Sequence, residues 1–144
     1  MGPEKRFEHR VREKLDLVFK LQSGGEQIAG LPDLIGIHKG FSFYLELKSH
    51  ANYYYDQVVV DIGKQLINGT ILNVRKIQYY TLLRIWENSL DQRVGVLLEL
   101  KGKGISNSTE YVYATPWPND TNIFRLETRC EELDLNKLLR IKDF

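Results

Sequence analysis

Two short apolar runs, residues 34–38 and 41–48, are joined by nothing but Lys39-Gly40. That spacing constrains the fold more than any other feature of the chain. Two extended segments joined by two residues form a tight antiparallel hairpin, and the register follows from it. His38 pairs with Phe41, Ile37 with Ser42, and down the ladder Asp33 lands opposite Glu46. In the second run Phe43, Leu45 and Leu47 share one face, and Tyr44, Glu46 and Lys48 share the other. A loop of three residues would slip the register and move Glu46 to the opposite face.

The remaining elements are read around this hairpin. Pro3 suits the first turn of a helix, and Phe7, Val11 and Leu15 recur every four residues, so an amphipathic helix is expected over about residues 4–15. Leu17, Phe19 and Leu21 alternate with Val18, Lys20 and Gln22, a strand pattern that Ser23-Gly24-Gly25 ends. Gly30-Leu31-Pro32-Asp33 reads as a turn. Residues 49–72 are ambiguous: Tyr53-Tyr54-Tyr55 and Val58-Val59-Val60 favour extended structure, yet Gln57 to Ile67 also suits a helix. Asn73 is a candidate cap for a helix to about Asn88, with Val74, Ile77, Leu82 and Ile85 inward. Val94 to Leu100 reads as a strand, Lys101 to Gly104 with Ser106 to Thr109 as a loop, and Tyr111 to Thr115 as a hairpin partner. Pro116-Trp117-Pro118-Asn119 reads as a break, and residues 131–141 as a last short helix. The order predicts an α/β fold, a mixed sheet flanked by helices in αβββαβ order. One domain over residues 1–144 is expected, with a core at about 4–100 and a hairpin-and-helix extension at about 101–144.

Composition narrows the classes. At 144 residues and 42% hydrophobic content the chain suits one globular domain. A lone cysteine, Cys130, excludes an internal disulfide framework and a multi-cysteine zinc site. No apolar run approaches the roughly 20 residues that cross a bilayer, and the charged first residues lack a signal-peptide core. A soluble cytoplasmic protein with no membrane partner is expected. The net charge of +1 carries no polybasic tail. His9, His38 and His50 are isolated, with no helical metal-ligand spacing.

The chemistry concentrates in Asp33, Glu46 and Lys48. A cross-strand pair has Cβ atoms about 4.5–5.5 Å apart, and like charges so placed repel. A divalent cation between them turns repulsion into binding, and Mg²⁺ commonly uses one or two carboxylates plus water and phosphate. Lys48, two residues past Glu46, lies on the same face, where an ammonium stabilises charge on a phosphate or helps position a water. Those are the requirements of phosphodiester hydrolysis. The plainer alternative makes Glu46 and Lys48 a solvated strand face and Asp33 a turn residue.

Gly30-Leu31-Pro32-Asp33 followed by Glu46-Leu47-Lys48 resembles the signature of the PD-(D/E)xK nuclease superfamily, most of all its small VRR-type and archaeal Holliday-junction-resolvase-like members, often phage-encoded. The likeness spans roughly residues 4–90. It implies a restriction-endonuclease-like core, with Asp33, Glu46 and the Leu47 carbonyl binding Mg²⁺ (or Mn²⁺ in its place) and Lys48 catalytic. It also implies a glutamate from the first helix, for which Glu8 is the first choice and Glu4 the second. Gln78 matches a glutamine that VRR-type members carry on the helix after the lysine strand. It shares a face with Val74, Leu82 and Ile85, where a buried structural glutamine is the equal alternative. The long segment 49–72 departs from the family pattern. The implied activity is a metal-dependent endodeoxyribonuclease acting on duplex or branched DNA, junctions or flaps included, as a homodimer. The alternatives are a non-catalytic nucleic-acid-binding module on the same fold and a homing or restriction-type sequence-specific enzyme. Lys20, Arg6, Arg10, Arg12, Lys101 and Lys103 are candidate backbone contacts. The Tyr53-Tyr54-Tyr55 run is read as packing rather than base stacking.

Overall fold

A computed structural model describes residues 2–20, 30–53, 74, 76–102, 109–118 and 123–142. Its elements are α1 (Pro3–Glu13), β1 (Leu17–Lys20), β2 (Leu34–His38), β3 (Phe41–Tyr53), α2 (Lys76–Glu87), β4 (Arg93–Gly102), β5 (Thr109–Trp117), β6 (Ile123–Cys130) and α3 (Leu135–Leu138). The strands form one six-stranded sheet in sequence order. Every neighbouring pair is antiparallel except β3 and β4, which run parallel. A parallel pair needs a crossover, and α2 lies on that connection. The expected mixed sheet flanked by helices is therefore present, with the expected hairpin partner as β5 and one further strand, β6.

The hairpin forms as its two-residue connection requires. Lys39 and Gly40 have φ of 50° and 84°, the paired positive values of a type I′ turn whose twist matches the flanking strands. The ladder runs His38–Phe41, Ile37–Ser42 and on to Leu34–Leu45, where it ends, with Asp33 and Glu46 the next residue on either side. Pro3 opens α1 at its first turn.

Two apolar layers cover the sheet. Phe7, Val11 and Leu15 pack with Phe43, Leu45, Leu47 and the α3 leucines on one face. Val74, Tyr79, Leu82 and Leu83 pack with Val94, Val96, Leu98 and Phe124 on the other. Ile77, expected inward, is exposed, and Tyr79 and Leu83 are buried in its place. The helix is rotated so that Tyr79 rests edge-on against Phe124.

Three further expectations are corrected. On β1, Val18 packs toward α1, whereas Leu17 and Phe19 are 48% and 55% exposed. The four-residue strand must turn one face to α1, and the smaller apolar residue takes it. Pro116 and Trp117 do not break the chain but continue β5, pairing with Phe124 and Ile123 of β6. The last β4–β5 pair is Val96–Ala114, so the missing Pro116 N–H costs no ladder bond on that side. The stretch read as part of a closing helix holds only the single turn Leu135–Leu138, capped by the Asp134 side chain on Lys137 N.

Strand β6 was not anticipated, for a physical reason. Tyr113 pairs with Thr128 but Ala114 with Leu126, so Glu127 is the extra residue of a β-bulge. Phe124 and Leu126 face the α2 layer, whereas Cys130, past the bulge, faces the α1 layer. A period of two carried through the strand does not survive that switch. Among the described residues no helix is long and apolar enough to cross a membrane.

Candidate active site

Strand β2 begins at Leu34, opposite Leu45, whereas β3 continues to Tyr53. From Glu46 onward no strand among the described residues pairs with β3 on its β2 side. Asp33 occupies that side: its Oδ2 accepts a hydrogen bond from Leu47 N at 2.9 Å. A strand residue exchanges N–H and C=O with the same neighbour, so the Leu47 carbonyl leaves on the side where Asp33 sits. Gly30 makes the approach feasible. It has φ of 87° and lies beneath α2, where a Cβ would stand 2.9 Å from both Ile77 Cγ1 and Thr81 Oγ1. Only glycine holds that backbone conformation without strain, which gives the Gly30-Leu31-Pro32-Asp33 turn a steric basis.

Glu46 is 3% exposed. Its Oε1 accepts from Gln78 Nε2 at 3.2 Å and lies 3.7 Å from Lys48 Nζ. Its Oε2 is buried with no hydrogen-bond partner among the described residues. The Glu46 pKa is pushed up to about 8, first by burial and then by the adjacent Asp33 carboxylate, against the opposing pull of Lys48. A buried carboxylate oxygen without a donor, facing a second carboxylate, wants either a proton or a cation.

The two α1 acids differ in placement. The Glu4 carboxyl is raised by desolvation, with Lys48 pulling it down and Asp33 and Glu8 pushing it up, and Glu46 feels Glu4 in turn. Glu4, the second choice from sequence, thus feels Asp33, Glu46 and Lys48 electrostatically. The half-buried Glu8 neighbours Glu4. Gln78 is buried, as its place in an apolar stripe anticipates, and its Nε2 donates to Glu46. The site therefore gathers Asp33, Glu46, Lys48 and Gln78, with Glu4 at its margin.

Could these residues hold a cation? Among the described residues no group of three or more His, Cys, Asp or Glu side chains is set around one metal position. What the site offers is the Asp33–Glu46 pair, the unpartnered Glu46 oxygen and the neighbouring backbone carbonyl. That oxygen-only set fits a hard divalent ion that keeps several waters. A cavity of about 540 Å³, lined by Asp16, His38, Lys39 and Asn136 among others, lies instead at the turn end of the hairpin. There His38 Nδ1 accepts from Asp16 N at 3.2 Å and its Nε2 lies 2.7 Å from Asn136 Oδ1, a structural tie between hairpin and α3.

Of the proposed backbone contacts, Arg10 and Lys101 converge on one buried acid, Glu99, which sequence reading passed over. The signal was available: one acid inside the apolar run from Val94 to Leu100 must find partners. The side chains of Lys20 and Tyr53, the residues Tyr54, Tyr55, Asn73 and Lys103, and segment 54–73 lie outside the described residues. Comparison with protein-family models, curated proteins and solved structures finds no match to this chain.

Proposed function

We propose that this chain is a metal-dependent endodeoxyribonuclease built on a restriction-endonuclease-like core of the PD-(D/E)xK type. The observation that carries the reading is the pairing of Asp33 with a buried Glu46 whose Oε2 has no partner among the described residues, with Lys48 Nζ 3.7 Å from the same carboxylate. The αβββαβ order of the first six elements among the described residues supports it.

Asp33, Glu46 and the Leu47 carbonyl would hold Mg²⁺ or Mn²⁺, which supplies charge neutralisation and an activated water when bound. The chain's own groups do the rest. Leu47 N fixes Asp33. Gln78 orients Glu46 from α2, the kind of supporting hydrogen bond that tunes a ligand. Lys48, mostly buried, presents a cation to the charge that builds on a phosphate oxygen. Glu4 adds a further acceptor at the margin for water. DNA is the proposed substrate, and a two-fold dimer presents one such site to each strand.

The test is cleavage of supercoiled plasmid and of a four-way junction in Mg²⁺ and in Mn²⁺. Wild type cuts. Asp33→Ala and Glu46→Ala each remove a proposed metal ligand and Lys48→Ala removes the cation facing the phosphate, so each loses at least about a hundredfold. Cutting at the wild-type rate by all three variants removes the assigned site. Sedimentation velocity checks the dimer.

A further inference from the structure

Glu99 is 0% exposed in the middle of β4. Isolated, a carboxylate so placed is strongly unfavourable. It is satisfied from every side. Its Oε1 accepts from Ser49 Oγ at 2.8 Å and lies 3.7 Å from Lys101 Nζ. Its Oε2 accepts from Tyr111 OH at 3.3 Å and forms a close ion pair with Arg10 Nη2. Arg10 Nη1 also donates to Tyr111 OH at 3.0 Å. Four elements, α1, β3, β4 and β5, meet in this one cluster.

Stability alone is a poor reason for such a cluster, since a buried ion pair often contributes no more than apolar packing of the same volume. Its effect is on the cations. Two long, rotamer-rich side chains are held in fixed positions, yet the Arg10 and Lys101 side chains each remain 39% exposed. Two positive groups against one negative leave an excess of positive charge. Both Glu99 oxygens are already occupied, so the ligand this arrangement suits is an anion, not a metal ion. Glu99 pairs with Ser49 across adjacent strands, about 4.8 Å apart, and Ser49 directly follows Lys48. The cluster thus adjoins the acid pair but is built on the opposite face of β3.

We infer that Arg10 and Lys101 form a backbone-phosphate station for nucleic acid on the other face of β3 from the cleavage site, with Glu99 as the positioning residue that pre-aims both cations. The inference rests on the nucleic-acid reading above and extends it to where the chain grips substrate away from the scissile bond.

The experiment is fluorescence anisotropy of the full chain with a labelled DNA duplex and a labelled four-way junction, without Mg²⁺ or Mn²⁺, from 50 to 300 mM salt. Arg10→Gln and Lys101→Gln each lower the log–log salt slope by about one and weaken binding about five- to tenfold near 0.1 M salt. Glu99→Gln adds a positive charge to the protein, so bulk electrostatics alone would tighten binding; loss of aim weakens it. Lys101 is half-exposed, so Lys101→Gln keeps the test decisive if Glu99→Gln melts early. Unchanged slopes in Arg10→Gln and Lys101→Gln overturn the station and leave the cleavage reading standing. An equal drop in Arg125→Gln, at the far edge of the sheet, marks general charge loss and also overturns it. Tighter binding by a folded Glu99→Gln overturns the positioning role. Lower slopes in a protein that never cuts support the station while refuting catalysis, and no DNA binding by wild type refutes both.

Discussion

Replacing Glu46 by glutamine should make the protein more stable at alkaline pH. Glutamine has the shape of a protonated glutamate and cannot ionise. In the native protein the Glu46 carboxyl is raised from 4.5 to about 8 by burial and by Asp33. Below about pH 4.5 the group is protonated in both the folded and unfolded chain, and its stabilising effect is fully present. As pH rises towards 8 the unfolded chain ionises while the folded one keeps its proton, so stability falls until the folded group also titrates. The shift sets a ceiling of about 5 kcal/mol; entry of water and movement of Asp33 and Lys48 reduce this to about 2–3 kcal/mol. For a domain of this size that is about 6–9 °C in Tm. Urea unfolding and thermal melts of wild type and Glu46→Gln, in EDTA from pH 5 to pH 9, measure it. Near-equal stability at pH 5 and a more stable variant at pH 9 are expected. A variant that follows the wild-type pH slope, or is the less stable protein at pH 9, refutes the reasoning, because neither burial nor Asp33 would then be holding the proton on.

Three other outcomes follow from single features. Mn²⁺ binding to wild type should release a proton and tighten as pH rises through about 8, the range in which Glu46 gives up its proton; calorimetry in buffers of different ionisation enthalpy reads the proton count, and a pH-independent affinity contradicts it. Gly95→Ala places a Cβ 2.1 Å from the Ala114 carbonyl oxygen, a backbone atom that cannot swing away, so urea unfolding should show a loss of about 3 kcal/mol. Arg93→Ala removes the guanidinium that binds the Leu139 and Arg140 carbonyls and stacks over Phe41. A loss of about 1–3 kcal/mol is expected, with faster amide exchange confined mainly to residues 135–141.

How far the fold was legible depended on whether local rules or tertiary packing set each feature. The hairpin was legible because Lys39-Gly40 leaves one turn geometry open, and its register then carries the ladder to Leu34–Leu45, with Asp33 and Glu46 next in line. Periodicity does not choose between Glu4 and Glu8, because it does not say how far along a strand a helix's first turn lies. The exposure of Ile77 arose the same way: the rotation of α2 is decided by Tyr79 docking on Phe124, a contact between residues far apart in the chain. Glu99 was overlooked because its partners Arg10, Ser49 and Tyr111 come from three other elements, and only the folded sheet gathers them.

The kink at Glu127 has a mechanical consequence. Because the strand changes sides there, its first half is anchored beneath α2 and its second half beneath α3, stitching both layers through one ribbon. Peeling that ribbon away would loosen the two layers together, so hydrogen exchange in Leu98 and in Leu138 should accelerate in step when the stitch is weakened by Glu127→Ala, which also severs the Thr115 and Arg140 contacts. Local fraying of one layer, with the other left intact, is the mode of opening that this geometry suppresses.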